Sequence, residues 1–303
     1  MSRALVLGAT GHIGAHVVRA LLARGYTVRA AYRTPRYLSV LDGLPVERVQ
    51  LDLDRPDGLP QALRECETVF HCAGYYPRLL SPRAPAIARG IAQIQRVCEM
   101  LAAANLRRVV YTSSAATIGP RSGPGRLATE EDGEPWPLPR RRPRYATVKV
   151  AMEHEVRRYA QRGLPVVIVN PSICLGEYDA HAFSGRLLLW FAKRRLPVCP
   201  EMYFNVVYTG DAGLGHVAAA ERGRTGERYL LATENLSLLD LARLVAGEAG
   251  IEPPRWQVPV PWLTRYAQRL DGSKARRELG VPATPAHEAV RRSLAWFRQQ
   301  GYH

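Results

Sequence analysis

A glycine-rich segment near the start of the chain places the strongest constraint on its fold. Gly8, Gly11 and Gly14 come directly after the apolar run 4–7 and open a stretch whose apolar residues recur at helical spacing. Glycines let the chain turn tightly and bring backbone N–H groups close to phosphates, and a helix N-terminus adds partial positive charge. A tight turn with close helix–sheet packing is the alternative. Strand, loop and helix together predict a dinucleotide site, with contacts from Gly8, Thr10, Gly11, His12, Ile13 and Gly14.

The first half of the chain alternates short apolar runs with longer stretches of helical period, as repeated βαβ units do. The sequence therefore predicts an α/β fold, a doubly wound parallel Rossmann sheet with a smaller C-terminal substrate lobe. We expect the dinucleotide-binding domain in residues 1–169, with 204–232 returning to it. The substrate lobe then comprises 170–203 and 233–303. The predicted strands are Ala4–Leu7, Thr27–Ala31, Arg48–Leu51, Thr68–Cys72, Arg108–Thr112 and Val166–Val169.

Charge and composition exclude several classes of protein. The 303 residues carry a formal net charge of +15, but only three of the 42 basic residues are lysines, and the arginines are spread over nearly every segment. We therefore expect no nucleic-acid partner, since such partners call for concentrated basic patches. No apolar run is long enough to span a bilayer, and the five cysteines form no CxxC pair. We expect a cytoplasmic protein with no membrane partner and with reduced thiols.

The segment after the second predicted strand indicates which nucleotide is bound. NAD-binding domains usually place an acidic residue there to hold the ribose 2′-OH. This chain reads TVRAAYRTPR and offers Arg33 and Arg36, which suit a 2′-phosphate. We expect NADP(H) to be preferred over NAD(H), although arginine is so common here that a chance match remains open. Asp52, after the third strand, is either an adenine contact or a turn residue.

A tyrosine and a lysine four residues apart predict an acid–base pair. Tyr145 and Lys149 open a predicted helix, so their side chains share one face. A nearby ammonium favours tyrosinate, so we expect Lys149 to lower the pKa of Tyr145. The strand 108–112 delivers the hydroxyls of Ser113 and Ser114 to the same edge of the sheet, where doubly wound folds bind ligands. Local turn capping is the alternative for these hydroxyls.

Motifs along essentially the whole chain resemble the extended short-chain dehydrogenase/reductases. The matching segments are GATGHIG at 8–14, DLD at 52–54, VFHCAG at 69–74, VVYTSSAATIG at 109–119, YATVK at 145–149, NPSICLG at 170–176, 204–231 and SKARRELG at 273–280. Within that family the chain looks most like the branch of dihydroflavonol-reductase-like carbonyl reductases and hopanoid-associated sugar epimerase-like proteins.

The resemblance implies a role for each matching residue. Ser114 would hold the substrate oxygen, Tyr145 would donate or accept the proton, and Lys149 would bind the nicotinamide ribose. Further cofactor contacts are implied at Asp52, Leu53, Ala73, Gly74, Pro171, Ser172 and Ile173.

Three positions depart from the family pattern. Arg89 replaces an asparagine associated with proton relay, Val148 stands where a small hydroxyl residue commonly precedes the lysine, and Tyr208 stands where an aspartate is usual. Arg89 is the most consequential departure, because it indicates an altered relay, a shifted substrate or a chain that binds cofactor without turnover.

Several aromatic side chains could line a substrate pocket or belong to the ordinary core of the second lobe. The candidates are Tyr75, Tyr76, Tyr178 and Tyr203, with Trp136, Phe183, Trp190 and Met202 beside them. They favour an apolar ketone or aldehyde as the small-molecule substrate. The leading hypothesis is thus an NADP(H)-dependent oxidoreductase of the carbonyl reductase type. An NAD(P)-dependent sugar epimerase or dehydratase, or a non-catalytic nucleotide sensor, remains open.

Two further expectations concern metal and assembly. His12 and His16 are four apart, but no third ligand accompanies them, so we expect no metal site. The family resemblance implies a homodimer built from the helices at 85–105 and 144–162. Residues 119–144 contain six prolines and predict a long surface loop that leads to Tyr145.

Overall fold

The computed structural model describes residues 2–77, 82–119, 126–133, 143–182, 184–193, 198–260 and 269–302. Most of the proline-rich segment 119–144, including Trp136, lies outside these residues, as does Phe183. None of the helices in the described part of the chain combines the length and apolar character that crossing a bilayer requires.

Seven parallel strands form the central sheet, in the order β10, β6, β5, β4, β1, β2, β3. All of these strands except the edge strand β3 are buried on both faces over most of their length, which explains their nearly continuous apolar sequences. The predicted fold class is confirmed. The strands are β1 Arg3–Leu7, β2 Thr27–Tyr32, β3 Val46–Gln50, β4 Thr68–His71, β5 Arg108–Thr112, β6 Val166–Pro171 and β10 Arg228–Leu231.

Helices cover both faces of this sheet. Helix α1 (His12–Ala23) packs against α6 (Thr209–Arg222) on one face, and α3 (Arg83–Ala103) packs against α4 (Arg144–Gln161) on the other. The short helix α2 (Leu59–Ala62) precedes β4. Two apolar cores result, one on each side of the strands. The order of strands reverses between β1 and β4, so a crevice opens at their carboxyl ends.

All but one of the remaining elements form a smaller lobe over that crevice. They are β7 Ile173–Leu175, α5 Gly185–Lys193, β8 Val198–Pro200, β9 Tyr203–Tyr208, β11 Glu234–Ser237, α7 Leu238–Ala249, β12 Trp256–Val258 and α9 Ala286–Gln299. The exception, α8 Ser273–Leu279, packs against α6 and β10 of the large domain.

Two small sheets belong to this lobe. Strand β9 pairs with β7 in parallel and with β11 in antiparallel fashion, and β8 pairs with β12. Of the segment 204–232, β10 joins the large sheet and α6 packs on it, whereas β9 belongs to a small sheet.

Candidate active site

The glycine loop joins β1 to α1 at the floor of the crevice. Gly8 adopts a φ of +79°, which favours glycine, and a Cβ there would approach the backbone of Ala73 to 2.9 Å. A Cβ on Gly14 would overlap the carbonyl oxygen of Gly8. The first N–H groups of α1 lack intrahelical acceptors, and Gly11 at the N-cap has no side chain to satisfy them. The loop is thus a bare backbone cradle of the kind that receives a diphosphate.

A pocket of about 790 Å³ runs from this cradle to the small lobe. It collects nearly every predicted cofactor residue on one wall. In the same wall the hydroxyl of Ser172 is buried without a hydrogen-bond partner among the described residues, so it is available to a ligand. The predicted residues on the pocket wall are Gly8, Thr10, Gly11, His12, Ile13, Arg33, Asp52, Leu53, Ala73, Gly74, Ser114, Tyr145, Lys149, Pro171, Ser172 and Ile173.

The three predicted catalytic side chains converge at the middle of the pocket. Tyr145 comes from the first turn of α4, Lys149 from the next turn, and Ser114 from the loop after β5. The phenol of Tyr145 is hydrogen-bonded to the hydroxyls of Ser114 and Tyr76. Ser114 also accepts the backbone N–H of Ala116 at 3.1 Å, which fixes its rotamer. One neighbour of the Tyr145 oxygen, Ser114, is therefore held in place.

The expected lowering of the Tyr145 pKa is not found. Burial raises its pKa above the usual value and outweighs the hydrogen bonds from Ser114 and Tyr76, which act in the opposite direction. The ammonium of Lys149 lies 6.0 Å from the ring centre of Tyr145. Tyr145 is consequently a neutral phenol at pH 7, the form that donates a proton.

Lys149 is 2% exposed, and burial lowers its pKa to about 8, although the carboxylate of Glu153 acts in the opposite direction. A Cβ on Gly74 would meet the Lys149 ammonium at 2.9 Å and the ring of Tyr76 at 3.2 Å. The glycine at this position thus makes room for both side chains, which indicates a close-packed site around the lysine.

Sequence reasoning missed the carboxylate that anchors this centre. Glu153, one turn beyond Lys149, is 4% exposed and accepts hydrogen bonds from Ser113, Thr117 and Asn170 at 2.5, 2.7 and 2.7 Å. Its second oxygen pairs with the guanidinium of Arg228 at 3.1 Å. One side chain thereby ties α4 to the loop that carries Ser114 and to the strands β6 and β10. The sequence signal that could have identified Glu153 is its spacing from Lys149, because residues one helical turn apart lie on the same face of a helix.

The predicted cations at the adenosine end separate in the structure. Arg33 lies on the wall of the pocket with Asp52. Arg36 instead lines a neighbouring cavity of about 710 Å³, with its guanidinium 5.4 Å from the ring centre of Tyr37. Tyr37 and His181, whose ring centres are 4.0 Å apart, contribute to both cavities. Only Arg33 is placed to meet a group inside the main pocket.

Two of the four predicted substrate tyrosines reach the pocket. Tyr76 and Tyr203 lie on its wall, and so does Met202. Tyr75 lies 5.5 Å from the guanidinium of Arg89, outside the wall. Tyr178 packs behind the glycine loop, with the guanidinium of Arg19 only 3.7 Å from its ring centre. Trp190 lines the cavity beside Arg36.

Arg89 does not reach the reacting centre. Its guanidinium pairs with Asp54 at 2.5 Å and is largely exposed. Burial raises the pKa of Asp54, but the bonds from Arg89 and Gln93 bring it below its usual value. Gln93, which sequence reasoning missed, donates to Asp54 at 2.6 Å and lies on the pocket wall. The polar group that α3 contributes to the pocket is thus Gln93.

Packing explains the other two departures from the family pattern, Val148 and Tyr208. Val148 is 1% exposed and fills the gap beside Gly90 where α3 and α4 meet. The hydroxyl of Tyr208 donates to Glu177 at 3.0 Å and accepts from Arg292 at 2.9 Å. This network joins β9 to the C-terminal helix α9 and lies away from the catalytic side chains.

The two histidines of the glycine loop are held apart by other partners. Their ring centres are 5.9 Å apart. His12 is hydrogen-bonded to the hydroxyl of Thr209 at 2.9 Å, and His16 to the carbonyl oxygen of Glu177 at 3.1 Å. Burial lowers the pKa of both rings, that of His16 to about 3. No group of three ligand side chains is arranged for a metal ion within the described ranges.

Comparison with known proteins agrees with this geometry. The sequence pattern of the NAD dependent epimerase/dehydratase family matches residues 4–232. The chain belongs to that family. The predicted resemblance to the extended short-chain dehydrogenase/reductases is thereby confirmed, and the chain is an enzyme of the oxidoreductase type that uses a nicotinamide dinucleotide.

Members of this family with similar sequences carry different names. A protein of Synechocystis sp. named "Putative dihydroflavonol 4-reductase" is 31% identical over 98% of this chain and 95% of its own. Sterol demethylase protein B of Methylococcus capsulatus is 31% identical over 98% of each chain. A solved structure of a nucleoside-diphosphate-sugar epimerase from Pseudomonas aeruginosa has a TM-score of 0.87 and 31% identity, with 99% of both chains covered.

Proposed function

We propose that this protein is an NADP(H)-dependent carbonyl reductase that acts on an apolar ketone or aldehyde. The observation that supports it most strongly is the position of Tyr145, which is hydrogen-bonded to Ser114 and one helical turn from Lys149, in the same pocket as the glycine cradle. A neutral phenol beside a second hydroxyl donor is what the reduction of a carbonyl requires, because negative charge develops on the carbonyl oxygen.

Each protein group has a defined task in this reaction. When bound, the nicotinamide supplies the hydride that reduces the carbonyl carbon. Ser114 holds the carbonyl oxygen, and Tyr145 gives that oxygen its proton. Lys149 binds the nicotinamide ribose and offsets the charge left on Tyr145. The glycine cradle at Gly8–Gly14 holds the diphosphate.

The substrate end of the pocket favours apolar compounds. Side chains of β7 and of other parts of the small lobe close this end, and most of those side chains are apolar or aromatic. A carbonyl compound that buries apolar area here gains roughly 25 cal/mol for each Å². The wall residues concerned are Ile173, Cys174, Met202, Tyr203, Phe204 and Leu270.

The deciding experiment measures oxidation of NADPH and NADH by the purified protein with a panel of aromatic and aliphatic aldehydes and ketones. Tyr145→Phe is the control, because it keeps the ring and removes the proton. We expect carbonyl-dependent oxidation, faster with NADPH, that Tyr145→Phe lowers by about 10²- to 10⁴-fold. Tight nucleotide binding without oxidation by any carbonyl would reject the reductase.

A sugar epimerase is the second candidate, because the solved epimerase structure is as similar in sequence as the two relatives described with it. An epimerase returns its cofactor to the starting state within each turnover. Nucleotide that stays bound through purification, with its absorbance unchanged after incubation with nucleotide-linked sugars whose stereochemistry has inverted, would favour it.

We also propose that the enzyme is a cytoplasmic homodimer. Helices α3 and α4 lie side by side on one face of the sheet, and a second copy could complete a four-helix interface there. The five cysteines are unpaired, which suits a reducing compartment. Sedimentation at micromolar concentration and fractionation of the source cells test the two statements.

A further inference from the structure

A second tyrosine lies against the catalytic phenol. The rings of Tyr76 and Tyr145 are stacked, with centres 5.4 Å apart and planes 15° from parallel. Their hydroxyls are hydrogen-bonded, and the ammonium of Lys149 lies 5.5 Å from the centre of the Tyr76 ring. Half of the surface of Tyr76 is exposed. We propose that Tyr76 is a second catalytic tyrosine, which returns a proton to Tyr145 in each turnover; this inference depends on the proposed reductase function.

The hydrogen bond is compatible with a bound substrate. A phenol oxygen donates one hydrogen bond and has lone pairs that accept others. Tyr145 can therefore donate to the carbonyl oxygen of the substrate while it accepts from Tyr76. Tyr76 remains protonated, because the repulsion that a second phenolate would meet from Tyr145, the burial of its hydroxyl and the bond itself raise its pKa well above the usual value. Tyr76 is thus the donor of the pair.

The proton balance of the reaction requires that Tyr145 regain a proton in each turnover. After Tyr145 has protonated the alkoxide oxygen, it is left as a phenolate in a buried site, where the ammonium of Lys149, 6.0 Å from its ring centre, offsets the charge. The proton of Tyr76 moves to the oxygen of Tyr145 as solvent protonates Tyr76 in the same step, so no phenolate accumulates on Tyr76. No electrons move in these two proton transfers, and one proton from solvent replaces the one in the product alcohol.

The usual position for a relay residue does not supply this path here. Arg89, in place of the asparagine, is paired with Asp54 on the outside of α3. Substrate and nicotinamide would cover the remaining exposed part of Tyr145 from the pocket side. Tyr76 is hydrogen-bonded to the reacting oxygen and half of its surface is exposed, so we assign the route from that oxygen to solvent to this side chain.

The kinetic test compares Tyr76→Phe with Tyr159→Phe. Both changes remove one phenol hydroxyl and keep the ring, but that of Tyr159 is bonded to Glu99 on the outside of α4. In rapid mixing with saturating NADPH and carbonyl, Tyr145 already holds its first proton. We expect Tyr76→Phe to complete the first turnover at nearly the rate of the unaltered enzyme. Later turnovers should be slower by about tenfold or more. Tyr159→Phe should change neither phase.

Equal losses of rate in the first turnover and in later turnovers would mean that Tyr76 only supports the local structure. An unchanged steady-state rate would mean that water reaches Tyr145 directly. Either result would overturn the proposal. A lowered KM at unchanged kcat would also do so, because Tyr76 would then merely compete with the substrate oxygen for Tyr145.

A second measurement needs no turnover and so separates this inference from the proposed function. With 13Cζ-labelled tyrosine in half-deuterated water, the isotope shift reports how fast the Tyr145 hydroxyl exchanges with solvent when NADP+ is bound. We expect Tyr76→Phe to slow this exchange by about tenfold or more and Tyr159→Phe to leave it unchanged. Equal rates in all three proteins would reject the relay even if the enzyme reduces carbonyls. Slow exchange in Tyr76→Phe would support it even if the substrate class is wrong.

Discussion

The two ends of the cofactor pocket are built in different ways. At the catalytic end, Tyr145 and Lys149 stand on α4 and Ser114 on the loop after β5, and the buried Glu153 ties both to the strands β6 and β10. At the adenosine end, the only predicted cation on the wall is Arg33, which stands on the loop after β2. Recognition of a 2′-phosphate there therefore depends on a single predicted side chain. The chemistry is therefore part of the core of the fold, whereas the choice of nucleotide depends on a surface residue that can change without disturbing that core.

Removal of the charge on Glu153 should have the largest effect. Glu153→Gln leaves the guanidinium of Arg228 buried without a counter-ion, so we expect the free energy of unfolding to fall by roughly 3–5 kcal/mol. Urea denaturation at pH 7 measures it. Glu221→Gln is the matched control, since Glu221 pairs with Arg24 at the surface and should cost less than about 1 kcal/mol. Similar losses in the two variants would refute the claim that the catalytic end is built into the core.

Ser114→Ala tests the chemistry of the same end. The change removes one of the two hydroxyl donors to the carbonyl oxygen, and we expect kcat to fall by about 10²- to 10³-fold, or roughly 2.7–4 kcal/mol of transition-state stabilisation. The dissociation constant for NADPH, measured by fluorescence, should stay within about twofold, because the serine is expected to act on substrate alone. A weaker nucleotide complex with unchanged kcat would assign Ser114 to the cofactor.

The buried His71 near Lys149 should make stability depend on pH. Burial, with a smaller contribution from Lys149, lowers the pKa of His71 to about 4 from an unfolded value of 6.5. The unfolded chain therefore binds a proton first, and stability is complete above pH 6.5 and is lost as the pH falls toward 4. The loss from this group is about 3 kcal/mol at pH 4.

His71→Leu removes this titration, so its unfolding free energy should decline less between pH 7 and pH 4 than that of the unaltered protein. Denaturant titrations at several pH values measure the difference. The exposed His287 provides the control, and His287→Leu should leave the pH dependence as it was. If the unfolding free energy falls equally between pH 7 and pH 4 in all three proteins, His71 takes up its proton in the folded state as readily as in the unfolded chain.

The sequence predicted the large sheet and the meeting of Ser114, Tyr145 and Lys149 in one pocket because both depend on short-range patterns. Continuous apolar runs mark strands that are covered on both faces, and the glycine loop and the Tyr145/Lys149 pair have fixed spacing. The buried pair of Glu153 and Arg228 was missed because its members are 75 residues apart, and only the order of β6 and β10 brings them together. Their charge alone would suggest a solvated surface.

The small lobe was predicted less well than the sheet. Its strands β7, β8 and β12 have three residues each, too few to show a period. The substrate tyrosines show the same limit, since Tyr75 and Tyr76 are adjacent in sequence and only one reaches the pocket. Which of two neighbouring side chains turns inward depends on the packing of Lys149 against Gly74, a contact between distant segments.

The smallest effect is expected at the adenosine end, where Arg33 and Arg36 make different predictions. Arg33→Ser should weaken NADPH binding by about tenfold, or roughly 1.4 kcal/mol, and leave NADH almost unaffected, because only the 2′-phosphate is charged at that point. Arg36→Ser should weaken NADPH binding less, since its guanidinium lies over Tyr37 and lines the neighbouring cavity. Titration of NADPH and of NADH against each variant gives four dissociation constants, and each is compared with the value for the unaltered protein. If Arg36→Ser has the larger effect, the phosphate lies in the neighbouring cavity. If neither variant changes the ratio of NADPH to NADH affinity, the enzyme does not select its nucleotide through the charge of these arginines. The adenosine end would then resemble the catalytic end, because its function would not depend on a single surface residue.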